Sequence, residues 1–506
     1  MQKDIFVETF LFALSSIKKL AQQTAWYGLS NVGGRFLNYL LTFLHVYLFK
    51  SAEYGDVSIF YANAALLSIL FSYGMETAYF RFVQKEKQPY SVYSTGFFSL
   101  FGTSILFTAA ILFYRQPLAD FMHIENNPEW ISWLALIVAA DTLAALPFCV
   151  LRQQNKPRKY AFIKLVNIFS VIGLQLVFFW LFPIWFNTTV NIGYVFLANL
   201  IASIITLLLL SKELLLVSWK FDKKLRNEMI IYALPLIIVG FGGMINETID
   251  RQLILHFFNG TVEQAKSANG IYSANYKLAI LIILFIQAFR MGAEPFFFQQ
   301  AEKEDAPKIY ARVMKFFVIV CCLCFLFIVL FLDVWKLLLT TKYPEYAQGI
   351  LIVPILALSK IFLGIYYNLS IWYKLTDRNK FGAWITIGGV AITVLFNIIF
   401  IPQIGYFACA IATLLCYSIM LVASYLLGQK YYPVPYDWKK LLTYISCAVL
   451  LFGVHRLFIS ISTNIWINCA LAFLLMGIFA TYIISVEKNE FEKIPFLKKI
   501  VRPFTF

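Results

Sequence analysis

Charge is what this sequence has least of. Only 14% of its 506 residues are Asp, Glu, Lys or Arg, against about 25% in a soluble domain. With 60% hydrophobic residues and a mean hydropathy of +0.73, a soluble core is excluded, because lipid must act as solvent for so much apolar surface. Histidine is scarce, with four residues, and the eight cysteines fall mostly inside apolar runs with no histidine cluster beside them. They read as buried small hydrophobes and imply neither a disulfide framework nor a metal site. Long polar loops are missing too. The longest connections, near 115–129 and 299–310, hold roughly a dozen residues, too few for the extramembrane site that an enzyme working at a membrane face needs. No cleavable signal peptide is evident. Residues 1–23 mix Lys3, Asp4, Glu8, Lys18 and Lys19 with a short apolar patch, as in an amphipathic helix lying on the membrane surface.

What is present is a succession of apolar runs, each near the about 20 residues that cross a bilayer as a helix. Fourteen are expected: 26–49, 57–80, 91–114, 130–151, 160–182, 190–216, 229–258, 267–290, 311–332, 346–372, 381–401, 405–428, 438–460 and 464–486. Runs this long mean helices, because backbone polar groups in lipid must be satisfied within the segment. The fold class is therefore an all-α membrane protein. Aromatic residues reach 18%, with 51 Phe, as lipid-facing surfaces and interfacial belts favour.

The net charge of +15 does not point to nucleic acid, since the cations sit in short turns between apolar runs. With the N-terminus in the cytoplasm, 32 of the 42 Lys and Arg residues fall on the cytoplasmic side, six on the other side and four within spans. The Lys/Arg excess marks the cytoplasmic face, so both termini are expected there.

An internal repeat runs through the chain. Residues 33–49 and 242–258 both open on Gly-Gly and close on Phe. Gly55-x-x-Ser58-x-x-Tyr61 follows the first and Gly270-x-x-Ser273-x-x-Tyr276 the second. Parallel repeats place a substrate path between two pseudo-symmetric six-helix lobes. The expected organisation is an interfacial segment 1–25, an N-lobe 26–220, a C-lobe 221–430, two added helices in 431–488 and a cytoplasmic tail 489–506.

Charges inside a membrane helix are costly and usually face a cavity or a partner. Asn31, Arg35, Asn38, Thr42 and His45 step by four and three along one face of the first span. Glu247, Asp250 and Arg251 share one side of the seventh, with Glu247 and Arg251 spaced for an ion pair. Ser273, Lys277, Gln287 and Glu294 form a stripe on the eighth. Small polar residues in such stripes usually glue helices together. Arg35 and Lys277 differ, because neither has an acidic residue one turn away in its own helix. One cation per lobe at mid-span suits an anion site in a wet cavity, and a diphosphate is the kind of anion they hold through charge-assisted hydrogen bonds. Arg251, Asn31 and Asn38 are further candidates for this cavity. Glu76 and Arg81 at the end of the second span, and Glu294 at the matching end of the eighth, are candidates for a cytoplasmic gate. Asp141, Glu247, Asp250 and Lys360 are candidates for gating or ion coupling.

These residues carry a family likeness. Ala52-Glu53-Tyr54-Gly55, Tyr73-Gly74-Met75-Glu76-Thr77-Ala78-Tyr79-Phe80-Arg81, Pro147-Phe148-x-x-Leu151-Arg152 and Lys164-Leu165-x-Asn167-Ile168 carry it in the first half. Asp250-Arg251, Gly270-Ile271-Tyr272-Ser273-Ala274-Asn275-Tyr276-Lys277 and Ala293-Glu294-Pro295-Phe296 carry it in the second. The chain resembles, over about residues 25–430, the polysaccharide or O-antigen flippases of the multidrug/oligosaccharidyl-lipid/polysaccharide exporter superfamily.

The resemblance implies a transporter of the bacterial inner membrane rather than an enzyme. Its substrate would be an undecaprenyl-diphosphate-linked oligosaccharide, carried from the cytoplasmic to the periplasmic leaflet by alternating access for polysaccharide or lipopolysaccharide biosynthesis. Arg35 and Lys277 are the positions that fit diphosphate binding. No cofactor is implied, and a proton or sodium gradient is the expected coupling. The expected partners are the lipid-linked substrate and membrane lipids, with the protein a monomer. The alternative is an ion-coupled exporter of the multidrug and toxin extrusion type, for which twelve helices and an acidic cavity are expected.

Overall fold

The computed structural model describes residues 33–85, 89–187, 189–218, 221–459 and 464–491. Among them every regular element is helical, as a chain without water for its backbone requires. Compact packing divides the chain in two. Unit 1 runs to Gly270 and takes in Asn397–Gly405; unit 2 holds Ile271–Phe396 and the chain from Tyr406 on.

Unit 1 begins with α1 (33–48) and α2 (Ser51–Ser72). The helix breaks at Tyr73 and Gly74, whose φ angles of 30° and 71° are left-handed; glycine adopts this backbone without strain. The chain resumes as α3 (Met75–Lys85), α4 (Pro89–Phe113), α5 (Arg115–Phe121) and α6 (Glu129–Gln153). Next, α7 (Pro157–Leu176) widens into a π turn at Val177–Leu181 before α8 (Phe182–Phe186). Pro183 explains the widening, since its ring displaces the carbonyl four residues back. Then come α9 (Gly193–Leu209), α10 (Ser211–Leu214) and α11 (Lys223–Phe257), the last bent by 41° after Pro235. The helix α12 (Val262–Gln300) crosses the unit boundary at Gly270.

Unit 2 continues with α13 (Ala306–Leu330), α14 (Leu332–Leu339), α15 (Ile352–Leu369), α16 (Ile371–Leu375) and α17 (Asn379–Ile404), whose residues from Asn397 on are assigned to unit 1. It ends with α18 (Phe407–Tyr431), α19 (Trp438–Ile459), α20 (Ile465–Val486) and α21 (Lys488–Phe491). Here α15 packs on α18 and α13, while α19 and α20 pack on α13 and on each other.

Each of the fourteen apolar runs holds a helix. Eleven helices among the described residues are long and apolar enough to cross a membrane, or twelve if bent α11 counts as one; α9 is shorter. Their outward residues confirm the solvent: Phe113 is 79% exposed, Trp466 81% and Leu457 72%, an arrangement stable in lipid and not in water. The protein is a multi-pass membrane protein.

The expected lobe boundary at residues 220 and 221 follows the sequence repeat, whereas packing groups α11 with α2, α3 and α4 in unit 1. Met75, Tyr79 and Phe82 of α3, Leu146 and Val150 of α6, and Met229 and Ala233 of α11 form one buried cluster. The segment 1–25, Asn31 and most of the tail lie outside the described residues.

Candidate functional site

Unit 1 contains a polar chamber of about 230 Å³, built from one face of each of three helices. Asp141, Ala144, Ala145, Phe148, Cys149 and Arg152 supply the α6 wall, stepping by three and four as a single helical face must. Tyr160, Lys164 and Asn167 of α7 and Asn199, Ser203 and Thr206 of α9 follow the same spacing. Glu76 of α3 completes the lining, set there by the left-handed break at Gly74.

The polar groups are organised. Ser203 Oγ donates to Asp141 Oδ1 at 2.8 Å. Asn167 Nδ2 donates to Thr206 Oγ1 at 2.9 Å and to the Ala202 carbonyl at 3.2 Å. The Cys149 thiol lies 3.8 Å from Glu76 Oε2. Lys164 Nζ stands 4.2 Å from the Phe148 ring centroid, and the Arg152 guanidinium 4.8 Å from that of Phe80, both within cation–π range. Lys164 lies within electrostatic reach of Asp141 and Glu76. Asp141 is deep in the bundle yet solvent-accessible, which is possible because it faces the chamber. Behind this wall Leu151, Ile163 and Leu210 pack with Phe148 and Tyr160 in an apolar cluster that fixes α6 against α7 and α9.

Arg35 of α1 interacts electrostatically with Tyr160 and Lys164, so it belongs to this neighbourhood. Asn38 is exposed on α1, and Arg81 lies over the Tyr232 ring at 4.7 Å. The chamber thus sets Lys164 and Arg152, with Arg35 nearby, against Glu76 and Asp141, an arrangement suited to an anionic, hydroxyl-rich group.

Asp250 and Arg251 are elsewhere in unit 1, both buried, with Arg251 Nη1 2.7 Å from Asp250 Oδ1. Arg251 also donates to the Glu247 carbonyl, and its own carbonyl accepts from Asn269. The sequence spacing suggested Glu247 as the ion-pair partner; the adjacent Asp250 is a partner the i,i+4 rule does not consider. His45 meets Gln175 at 2.7 Å, so the lower part of the α1 stripe also reaches a neighbouring helix.

In unit 2, Lys277 is half-buried. Lys360 is fully buried and donates to Tyr276 Oη at 2.6 Å, with its ammonium 5.1 Å from the Tyr417 ring centroid. Glu294 is paired with Arg290 at 3.1 Å and with Lys374 at 2.9 Å. Arg35 and Lys277 belong to different units.

Sequence reasoning passed over Lys164, Arg152, Tyr160, Asn167, Asn199, Ser203 and Thr206 as site residues. Lys164 falls within the expected 160–182 run but was counted among the cytoplasmic cations; it sits on α7, which begins at Pro157. The usable signal was the three- and four-residue spacing on α7 and α9.

No curated protein matches the chain. Among solved structures, a lipid II flippase, MurJ, in an inward closed conformation superposes with a TM-score of 0.73 and 13% identity, covering 90% of this chain and 98% of that one. An inward-facing transporter of the multidrug resistance MATE family, of the MOP superfamily, gives 0.59 and 13% identity over 80% of this chain and 94% of its own. The Vibrio cholerae MATE transporter VcmN, as an Asp-to-Asn mutant, gives 0.56 and 14% identity over 82% and 96%. The fold is therefore the all-α transporter fold that these proteins share. The sequence model for "Polysaccharide biosynthesis protein" matches residues 20–300, more than half of the chain, and the chain belongs to that family.

Proposed function

We propose that this protein is a flippase that carries an undecaprenyl-diphosphate-linked oligosaccharide from the cytoplasmic to the periplasmic leaflet of a bacterial inner membrane, with both termini cytoplasmic. The observation that carries this reading is the chamber of unit 1, which offers cations, amides and hydroxyls to a polar head group inside a bundle whose outer surface is lipid-facing. Family membership in polysaccharide biosynthesis supports the glycan. The lipid tail stays in the bilayer while the head group crosses, and the two lobes rock about the repeat axis. Arg35, Lys277 and Asn38 engage the head group, Glu76 stands at the chamber wall, and Asp141 is the coupling group for an ion gradient. A multidrug exporter is disfavoured, since Arg35, Lys164 and Arg152 would repel cationic drugs.

The test is complementation of a flippase-deficient strain, read as glycan delivered to the cell surface. Arg35→Ala and Lys277→Ala each lower delivery at least tenfold at equal expression, because a charge-assisted hydrogen bond contributes about 1.5–3 kcal/mol. Wild-type delivery by both variants overturns the anion site. Deletion of the gene leaves the lipid-linked glycan on the inner leaflet; its absence there overturns the reading as a whole.

A further inference from the structure

The two glycine motifs of the repeat meet in space. A β-carbon on Gly55 would overlap the carbonyl oxygen of Lys266, four residues before Gly270. A β-carbon on Gly270 would overlap the carbonyl oxygen of Ser51, four residues before Gly55, and would stand 3.0 Å from the Gly55 amide nitrogen. The contacts are images of each other under exchange of the repeats. Small residues let membrane helices approach backbone to backbone in this way. All of these residues lie in unit 1.

Polar pairs close the crossing. Ser51 Oγ and Ser267 Oγ are 2.7 Å apart. Lys266 Nζ is 2.9 Å from Asp56 Oδ1, with the two side chains only 15% and 14% exposed. Just beneath, buried Tyr54 bonds to Thr42 and sits in the field of Arg251, whose carbonyl accepts from Asn269. These groups gather at the Ser51 end of α2, opposite the Lys85 end of α3.

The chemistry of this junction is that of a seal made to part. Interlocked apolar side chains would leave voids on separation, each costing contacts. Glycine faces have no side chains to unthread, and water replaces the hydrogen bonds of the serine and ion pairs when they part. We infer that the Gly55–Gly270 crossing, with Asp56–Lys266 and Ser51–Ser267, is the latch that closes the passage at the Ser51 end and opens to release the head group. The inference rests on the transporter reading. On the proposed orientation this end is periplasmic.

The test uses the full-length Ser51→Cys/Ser267→Cys variant in membranes, oxidised with copper phenanthroline. The serine spacing suits a disulfide. The disulfide forms readily, glycan delivery falls at least tenfold, and reduction restores it. Undiminished delivery by the cross-linked chain, or failure of the disulfide to form in folded protein, overturns the latch. A second measurement needs no substrate. The rate at which a membrane-impermeant maleimide modifies Ser51→Cys, read by peptide mass spectrometry, rises at least tenfold when Gly270→Leu is added. An unchanged rate overturns the latch. If the reduced chain carries no glycan, the flippase reading fails while the maleimide rates still judge the latch.

Discussion

Lys164→Met lowers glycan delivery at least tenfold and lowers the melting temperature in detergent, while Lys164→Met/Asp141→Asn recovers the stability and not the transport. The reasoning is an asymmetry of buried charge. Removing one member of a charged set leaves its counterpart desolvated and uncompensated, whereas neutralising both is often harmless to folding. Asp141 has a neutral donor in Ser203 and a cation in Lys164 across the chamber. Loss of Lys164 leaves Asp141 and Glu76 on the chamber wall without the cation both of them reach, with Arg152 in the lining and Arg35 nearby. Because the chamber is solvent-accessible, the destabilisation is about 2 kcal/mol, below the value for a dry pair. The double variant removes that cost. Transport stays low, because the ammonium beside Arg35 and the coupling carboxyl of Asp141 are both missing. Equal recovery of both quantities would make Lys164 a structural residue only.

How much of this site was legible depends on the kind of signal each residue gives. Asp141 stands out in sequence because an acid in an apolar run is costly anywhere. Asn199, Ser203 and Thr206 do not, since small polar residues in membrane helices are ordinarily packing glue; only the convergence of α6, α7 and α9 gives them a shared cavity. Lys164 was obscured by its neighbours: Lys156, Arg158 and Lys159 mark a cytoplasmic turn, and the helix start at Pro157 is what carries Lys164 into the bundle. The helices themselves were readable, because lipid imposes a length on them. The repeat assigns α11 to the second half, while the interlocking of Met229 and Ala233 with α3, α4 and α6 assigns it to the first unit. The glycine pair is the opposite case. Few identities support the repeat, yet Gly55 and Gly270 were visible as equivalent positions, and their backbone contacts give that equivalence a steric cause.

Glu487→Gln loosens the last two membrane helices, α19 and α20, from the bundle and costs about 3 kcal/mol, the scale of a buried ion pair losing one partner. Glu487 follows α20 directly and is only 3% exposed. Its carboxylate accepts from Lys315 Nζ of α13 at 2.5 Å and from Tyr444 Oη of α19 at 2.5 Å, with Lys440 Nζ at 3.4 Å. One side chain therefore ties three helices, and Arg312–Glu490 at 2.7 Å adds a second tie to α13. Burial alone would raise the Glu487 pKa; Lys315, Tyr444 and Lys440 more than reverse that and hold it below the usual carboxylate value. The folded pKa is thus depressed, so the contribution is present in full above the unfolded value, about 4.3, and is lost as pH falls through the folded one. The stability gap between wild type and Glu487→Gln, measured by thermal unfolding in detergent, stays constant from neutral pH down to about pH 5 and narrows only below about pH 4. Limited proteolysis locates the effect: cleavage in the 432–437 connection accelerates in the variant, while the unit 1 helices keep their resistance. A gap that closed between pH 7 and 6, or cleavage that accelerated equally in both units, would show that Glu487 does not hold α19 and α20 to α13.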